Sequence, residues 1–244
     1  MFKKCEWCEK EYEYKSSKSK YCSNSCKLKA SRMRNRDVSK LKFDFYKIQD
    51  IKKKELNYTQ RQCILGGLIG DGSINRNSNY LITHCEKQLP YLEYKITLMG
   101  ELFQRKPKKY KNKTGFQYCI GTIKHPTFEE LRKIVYPNDK IKIGDWINEI
   151  DELGLAIWYL DDGTYNKKHG GQCSLSTDAY SLEENETIRD FIENKFNIKA
   201  STTKYYDKRY DKTRYRTLFS RVEGEKLRDI VSKYTPECLK YKIK

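Results

Sequence analysis

Residues 58–244 run through the same order of sequence patterns twice, so two similar units must form and share one core. The first pass opens with an apolar, helix-like run at 60–70 and continues as two-residue alternation over 73–85 and a helical stretch over 89–103. Two strand candidates follow at 108–113 and 115–123, on either side of the polar turn Asn112-Lys113-Thr114-Gly115. His125-Pro126-Thr127 then opens a short helix to residue 135. The second pass gives an apolar helix at 151–160, a hairpin over 163–177 with Gly170-Gly171 at its turn, and a helix at 181–196. Strands at 198–206 and 215–219 and a helix at 224–233 complete it. The expected fold class is α+β: an αββαββα unit used twice, at 58–148 and 149–244, giving two four-stranded antiparallel sheets about an approximate two-fold axis. Helices cover one face of each sheet and leave the other free.

In both units the first helix ends on Asp-Gly. The segments are Ile64-Leu65-Gly66-Gly67-Leu68-Ile69-Gly70-Asp71-Gly72 and Leu155-Ala156-Ile157-Trp158-Tyr159-Leu160-Asp161-Asp162-Gly163. A carboxylate at a helix C-terminus faces the negative end of the macrodipole, where a cation is favoured by roughly 0.3–1 kcal/mol. Breaking that rule at two equivalent positions marks a functional requirement, and a divalent cation would reverse the sign. Gly72 and Gly163 suit left-handed helix stops, while Gly66, Gly67 and Ala156 let two helix backbones approach closely. Side-by-side packing would then bring Asp71 and Asp162 together. Asp-Gly is also a common turn pair, so the duplication gives the motif its weight.

The chain carries 50 Lys and Arg against 33 Asp and Glu, a net charge of +17, together with 20 Tyr. This points to a polyanion with stackable bases, because phosphate neutralisation and counterion release drive nucleic-acid affinity. No apolar run approaches the roughly 20 residues that cross a bilayer, and no signal-type apolar core follows Met1, so neither a membrane nor a secreted protein is expected. Nine cysteines, an odd number, fit an intracellular, reducing compartment such as the cytoplasm or an organelle matrix.

Residues 1–57 hold 17 Lys and Arg against 8 Asp and Glu, an excess of nine in under a quarter of the chain. Cys5-Glu6-Trp7-Cys8 and Cys22-Ser23-Asn24-Ser25-Cys26 flank a polar segment too poor in aliphatics to build a core. Four thiolates, Cys5, Cys8, Cys22 and Cys26, can close one tetrahedral structural Zn²⁺ site that replaces the missing core. The expected module spans 1–30 and is followed at 31–57 by a basic, partly helical linker containing Arg32-Met33-Arg34-Asn35-Arg36 and Lys52-Lys53-Lys54, with scattered apolar residues such as Leu41, Phe43 and Phe45. Cys63, Cys85, Cys119, Cys173 and Cys238 are read as small buried hydrophobes, Trp7, Trp146 and Trp158 as packing residues. His84, His125 and His169 form no ligand cluster with one another.

Both Asp-Gly motifs resemble the LAGLIDADG signature, and residues 155–163 are similar to the Leu-Ala-x-Trp-x-x-Asp-Asp-Gly form of the monomeric, two-motif homing endonucleases. The resemblance covers about residues 59–243. It extends to His84-Cys85-Glu86-Lys87-Gln88 followed by Tyr91-Leu92, and to Pro236-Glu237-Cys238-Leu239-Lys240-Tyr241-Lys242. The first motif departs from the family name at Gly67, where Leu is usual, and at Gly70 before the acid, although Gly-Asp-Gly forms are common in the family. The resemblance implies a monomer that cuts both strands of a long asymmetric DNA target across the minor groove, leaving short 3′ overhangs. It implies Mg²⁺ (or Mn²⁺) held by the catalytic acids Asp71 and Asp162, with Gly70 and Asp161 adjacent in the metal site and Asp161 not equivalent to Asp162. Lys242 matches the active-site lysine of the family's Tyr-Lys ending. Its first-repeat counterpart is expected at Lys140, or failing that Lys142, because Ile143-Gly144 replaces the Ile-Pro that would set the register. The N-terminal module resembles zinc-binding extensions of intron-encoded endonucleases. Some relatives act as maturases, so a noncatalytic protein that binds host intron RNA is the alternative.

Two-stranded ribbons fit the DNA major groove, with alternate side chains facing the bases. The candidates are Asn75, Arg76, Asn77, Lys109, Lys111, Lys113, Gln117, Lys167, Lys168, Gln172, Lys204, Tyr206, Lys208, Arg214 and Arg216. For each, a phosphate contact or a solvated surface position is as compatible with the sequence as a base contact.

Overall fold

The computed structural model describes residues 2–14, 16, 19–34, 38–113 and 115–244, excepting the side chains of 32–34, 38–45 and 169. The basic cluster at residues 32–36, the side chains of Leu41, Phe43, Phe45 and His169, and Thr114 of the expected turn therefore fall wholly or partly outside the described residues. Two compact units are present, Met1–Lys53 and Lys54–Lys244.

In the first unit, β1 (Phe2–Lys4) pairs antiparallel with β2 (Glu11–Glu13), Phe2 opposite Glu13. Helices α1 (Asn24–Arg34) and α2 (Val38–Lys53) follow, so the expected linker is largely helical. Lys52 and Lys53 in the last turn of α2 face the negative end of its dipole.

The second unit begins with α3 (Tyr58–Ile69), started by a capping box in which Asn57 accepts the Gln60 N–H and the Gln60 side chain accepts the Asn57 N–H. Then come β3 (Gly72–Ile74), β4 (Tyr80–Cys85), α4 (Leu89–Met99), β5 (Lys108–Asn112), β6 (Gly115–Gly121) and α5 (Pro126–Val135), the last capped by His125. The order recurs as α6 (Glu152–Asp162), β7 (Gly163–Asn166), β8 (Gln172–Leu175), α7 (Leu182–Phe196), β9 (Ser201–Asp207), β10 (Lys212–Phe219) and α8 (Arg221–Ser232). The sheets are ordered β3-β4-β6-β5 and β7-β8-β10-β9, equivalent strands in equivalent places, with every pairing antiparallel. The duplicated α+β architecture is thus present. Four boundaries shift by three residues or more. Helix α4 stops at Met99, where Gly100 turns to φ 53°; β9 starts at Ser201 and not at 198; β10 starts at Lys212; and α8 starts at Arg221 because Ser220 is its cap.

Helices α3 and α6 pack against each other and are buried around almost their whole circumference. A Cβ added to Gly66 would lie 2.0 Å from the Gly154 carbonyl oxygen, so backbone contact between the two helices requires glycine there. Gly67 serves a different neighbour from the one expected: its missing Cβ makes room for the Tyr80 hydroxyl. Gly163 is likewise no left-handed stop, since its φ is −77°, and Gly72 is not among the positive-φ residues. Both are small because of space: a Cβ on Gly72 would meet Tyr80 at 2.2 Å, and one on Gly163 would meet Tyr159 at 2.4 Å.

Candidate functional site

The ends of α3 and α6 place Asp71 just beyond the Gly70 cap and Asp162 in the last helical position. Asp71 leaves 36% of its side chain open to solvent. Burial, then the Asp161 carboxylate, pushes the Asp71 acid up to about 6, and Lys95 and Lys242 oppose this. Burial, then Asp71 and Asp161, pushes Asp162 up to about 7. The two expected acids thus share one electrostatic field. Each has acquired the unfavourable self-energy of a crowded carboxylate, which a divalent cation would relieve. Asp162 also lines a cleft of about 310 Å³ with Tyr165, Ser176 and Lys242.

Asp161, expected beside the acids as a metal contact, lies in the interior instead. Its carboxylate accepts hydrogen bonds from Tyr91 Oη (2.9 Å), from the Asp71 backbone N–H (3.0 Å) and from the fully buried Lys95 ammonium. Both oxygens are therefore engaged, and the side chain ties α6 to α4 and to the backbone at the end of α3. Gly70 is small because a Cβ there would lie 2.5 Å from the Asp161 side chain. Tyr91 entered the sequence reading only as part of the family-like run ending in Tyr91-Leu92, with no role given, and Lys95 was not singled out at all, since a lysine one turn after an aromatic on an amphipathic helix reads as surface. Tyr94, three residues after Tyr91 on the same helix, does not bond Asp161: its hydroxyl donates to the Tyr234 carbonyl at 2.8 Å.

 Tyr94 belongs to the surroundings of Asp161 only through its ring, which stacks on Tyr91 with centroids 6.2 Å apart.

Lys242 lies where expected, beside the second acid. Its ammonium donates to the Leu160 carbonyl (2.7 Å) and the Asp161 carbonyl (3.0 Å), so it caps the C-terminal end of α6 while facing the carboxylates. Burial lowers its pKa, against the pull of Asp161, Asp162 and Asp71. The first-repeat lysine differs from expectation. Lys140 and Lys142 are exposed, and the cations bearing on Asp71 are Lys95 and Lys242. His84, on β4, places Nδ1 3.3 Å from Asp71 Oδ2, and one ligand atom each from Asp71, His84 and Asp161 lie within 4.8 Å of one another.

In the N-terminal unit Cys5, Cys8, Cys22 and Cys26 come together, with Sγ separations of 3.6 Å from Cys22 to both Cys8 and Cys26. Four sulfurs about 2.3 Å from a tetrahedral Zn²⁺ would stand about 3.8 Å apart, so this donor set fits zinc. The Cys22 N–H donates to Cys5 Sγ at 3.4 Å, a contact that favours thiolate. The other cysteines divide: Cys63 and Cys173 are buried as expected, whereas Cys119 is half-buried and Cys85 and Cys238 are exposed. Trp146 and Trp158 are buried packing residues.

Strand register sorts the expected nucleic-acid contacts. In the first sheet Tyr80, Ile82, His84 and Ile120 face the helices, and Lys109 and Lys111, paired with Tyr118 and Phe116, share that face. They are therefore not on the open face, which carries Lys108, Tyr110, Gln117 and Cys119. Lys109 is further engaged by Glu86. In the second sheet Thr217 and Leu175 are buried, so Gln172, Arg214 and Arg216 lie on the open face while Lys204 and Tyr206 lie on the other. A one-residue shift in register exchanges the two faces, which is why sequence alternation alone misplaced four of these residues. Arg216 is paired with Asp178 (2.7 Å) and Arg214 with Asp207 (3.0 Å). At the hairpin tips Asn77, Lys113, Lys167, Lys168 and Lys208 are exposed, Arg76 pairs with Asp139, and Asn75 accepts the Asn77 and Asn79 N–H groups to hold its own turn. Among the described residues no helix is long and apolar enough to cross a membrane.

Comparison with known proteins bears on the same unit. The sequence model of the LAGLIDADG DNA endonuclease family matches residues 61–227. A probable intron-encoded endonuclease of Wickerhamomyces canadensis is 26% identical over 212 residues, covering 80% of this chain and 89% of that protein. An uncharacterized protein of Methanocaldococcus jannaschii is 29% identical over 191 residues, covering 75% and 73% respectively. Among solved structures, the homing endonuclease I-WcaI bound to its DNA recognition sequence superposes with a TM-score of 0.69 at 24% identity, over 81% of this chain and 92% of that one, a likeness of fold.

Proposed function

This chain belongs to the LAGLIDADG DNA endonuclease family, and we propose that it is a monomeric, site-specific homing endonuclease that hydrolyses one phosphodiester in each strand of a long asymmetric duplex, across the minor groove, leaving short 3′ overhangs. The observation that carries this reading is the pair Asp71 and Asp162 at the ends of two packed, equivalent helices, each within the other repeat's electrostatic field. Both acids come from one chain, which supports a monomer. The all-oxygen pair suits Mg²⁺ or Mn²⁺, which when bound supplies an activated water and stabilises the leaving oxygen. Asp71 and Asp162 hold and orient that charge, with the Gly70 backbone adjacent to the first. Asp161 fixes the Asp71 backbone from within. Lys242, anchored on two α6 carbonyls, keeps a positive charge beside Asp162 that stabilises the pentacovalent phosphate.

The open sheet faces and exposed hairpin tips supply the DNA contacts. Gln172, Arg214 and Arg216 belong to the second sheet and Lys108, Tyr110 and Gln117 to the first. The four N-terminal cysteines hold structural Zn²⁺, and a four-thiolate zinc site suits a reducing intracellular compartment.

The test is cleavage of a pooled duplex library, including uninterrupted alleles of host genes, in Mg²⁺, with cut ends sequenced. Asp71→Asn and Asp162→Asn should each lower cleavage by at least about 10³-fold while DNA binding persists. Retained cleavage in either variant would remove the catalytic assignment. DNA binding without cleavage, together with faster splicing of a host intron, would instead establish the RNA-binding maturase.

A further inference from the structure

The two halves of the site are not chemically equivalent, and the difference lies in His84. Strand β4 pairs His84 with Tyr118 on the face that the helices cover, and Tyr91 of α4 lies against the ring with centroids 5.1 Å apart. His84 is 2% exposed, and although the Gln88 side chain lies close enough to favour its charged form, neither ring nitrogen meets a hydrogen-bond partner in acceptable geometry. A buried imidazole with both nitrogens unsatisfied is costly in a folded protein and calls for a partner. Its Nδ1 nevertheless lies 3.3 Å from Asp71 Oδ2. Two ligand atoms in cis positions about 2.1–2.2 Å from one octahedral ion stand about 3 Å apart. The pair therefore has the separation of two ligands of one ion, without the geometry of a hydrogen bond. Asp161 is unsuited to complete such a set, because Tyr91, Lys95 and the Asp71 N–H occupy its carboxylate.

We propose that His84 is a nitrogen ligand to a divalent cation held by Asp71, so that the first half of the site is a mixed nitrogen–oxygen site and the Asp162 half is an oxygen site. The proposal rests on Asp71 being a metal-binding acid. Imidazole shifts preference from Mg²⁺ toward the first-row transition ions, whereas carboxylate and water suit Mg²⁺. The Asp71 half should accordingly favour Mn²⁺ over Mg²⁺, and the Asp162 half should discriminate less. His84 lies one strand residue before Cys85, which is on the open face, so the ligand enters the site from the sheet rather than from the motif helices.

The experiment is pulsed electron paramagnetic resonance of Mn²⁺ bound to the full-length, zinc-loaded protein without DNA. Mn²⁺ is a poor competitor for a four-thiolate site, so the N-terminal module is not the reporter. Wild-type protein should show nitrogen modulation on bound Mn²⁺ that changes when the histidines carry ¹⁵N, a measurement that needs no variant to fold. His84→Gln should abolish the modulation and weaken one class of Mn²⁺ site by about tenfold or more, with a smaller loss for Mg²⁺. Mn²⁺ that binds in an Asp71-dependent way without nitrogen modulation would overturn the role of His84 and leave Asp71 as a ligand. Mn²⁺ affinity unchanged in both His84→Gln and Asp71→Asn would overturn the underlying reading of Asp71 as well.

Discussion

Lys95 and Asp161 form the one ion pair among the described residues in which both side chains are essentially closed to solvent. Removing one partner leaves an uncompensated buried charge, so Lys95→Met should destabilise the fold by about 3–5 kcal/mol. Adding Asp161→Leu to it should restore most of that stability, as thermal melting of both variants would show. The raised acids give a second prediction at this scale. A carboxyl whose folded pKa lies above its unfolded value binds its proton more tightly when folded. Its contribution is complete at low pH and is lost as pH rises between about 4 and the folded value, about 7 for Asp162. Without divalent cations, Asp162→Asn should match wild type near pH 4 and exceed it by about 1–2 kcal/mol above pH 7, a figure reduced for solvent screening. Denaturant titrations across that range check it, and Mg²⁺ should close the gap. Asp71 and Asp162 could be read from sequence because their motifs repeat. Lys95 and His84 could not, because a lysine in an amphipathic helix and a histidine in an alternating strand carry no local mark of what they face.

Among the elements, contact between α3 and α6 depends on the absence of two side chains, at Gly66 and Gly154. Gly66→Ala would drive a methyl group into the Gly154 carbonyl, and a rigid backbone cannot yield as a side-chain tip can. A loss of about 2–4 kcal/mol is expected by chemical denaturation. Gly144→Ala is the control, with the nearest atom 3.9 Å from its new Cβ and an extended φ of −165°, and should change stability by less than about 0.5 kcal/mol. Sequence periodicity placed the strands and helices of both repeats within a few residues. It did not assign faces near the hairpin ends, because exposed strand ends such as 108–112 lack the buried alternate residues that would fix the register.

For the molecule as a whole, the two compact units have different sources of stability. Among its described side chains, Met1–Lys53 has four clustered thiols and few others that are buried, whereas Lys54–Lys244 buries the two motif helices and the covered faces of two sheets. Chelation with phenanthroline should therefore make residues 1–53 protease-sensitive and leave the thermal transition of residues 54–244 in place. Limited proteolysis with mass mapping, alongside calorimetry, reads both outcomes.

What the sequence determined by itself, apart from Lys242, which only the resemblance to the family's Tyr-Lys ending indicated, was what repetition and local spacing encode: the duplicated α+β order, the two Asp-Gly helix ends and the four-cysteine cluster. These are properties of neighbouring residues, or of one segment compared with another. Only the tertiary structure decided that Asp161 is an internal anchor, that Lys95 and not Lys140 or Lys142 bears on Asp71, that Gly72 and Gly163 are small for lack of space, and that His84 faces the first acid. Each of these depends on which side chains from distant segments meet in one place, and burial and Coulomb interaction take their values only once the helices and sheets have packed.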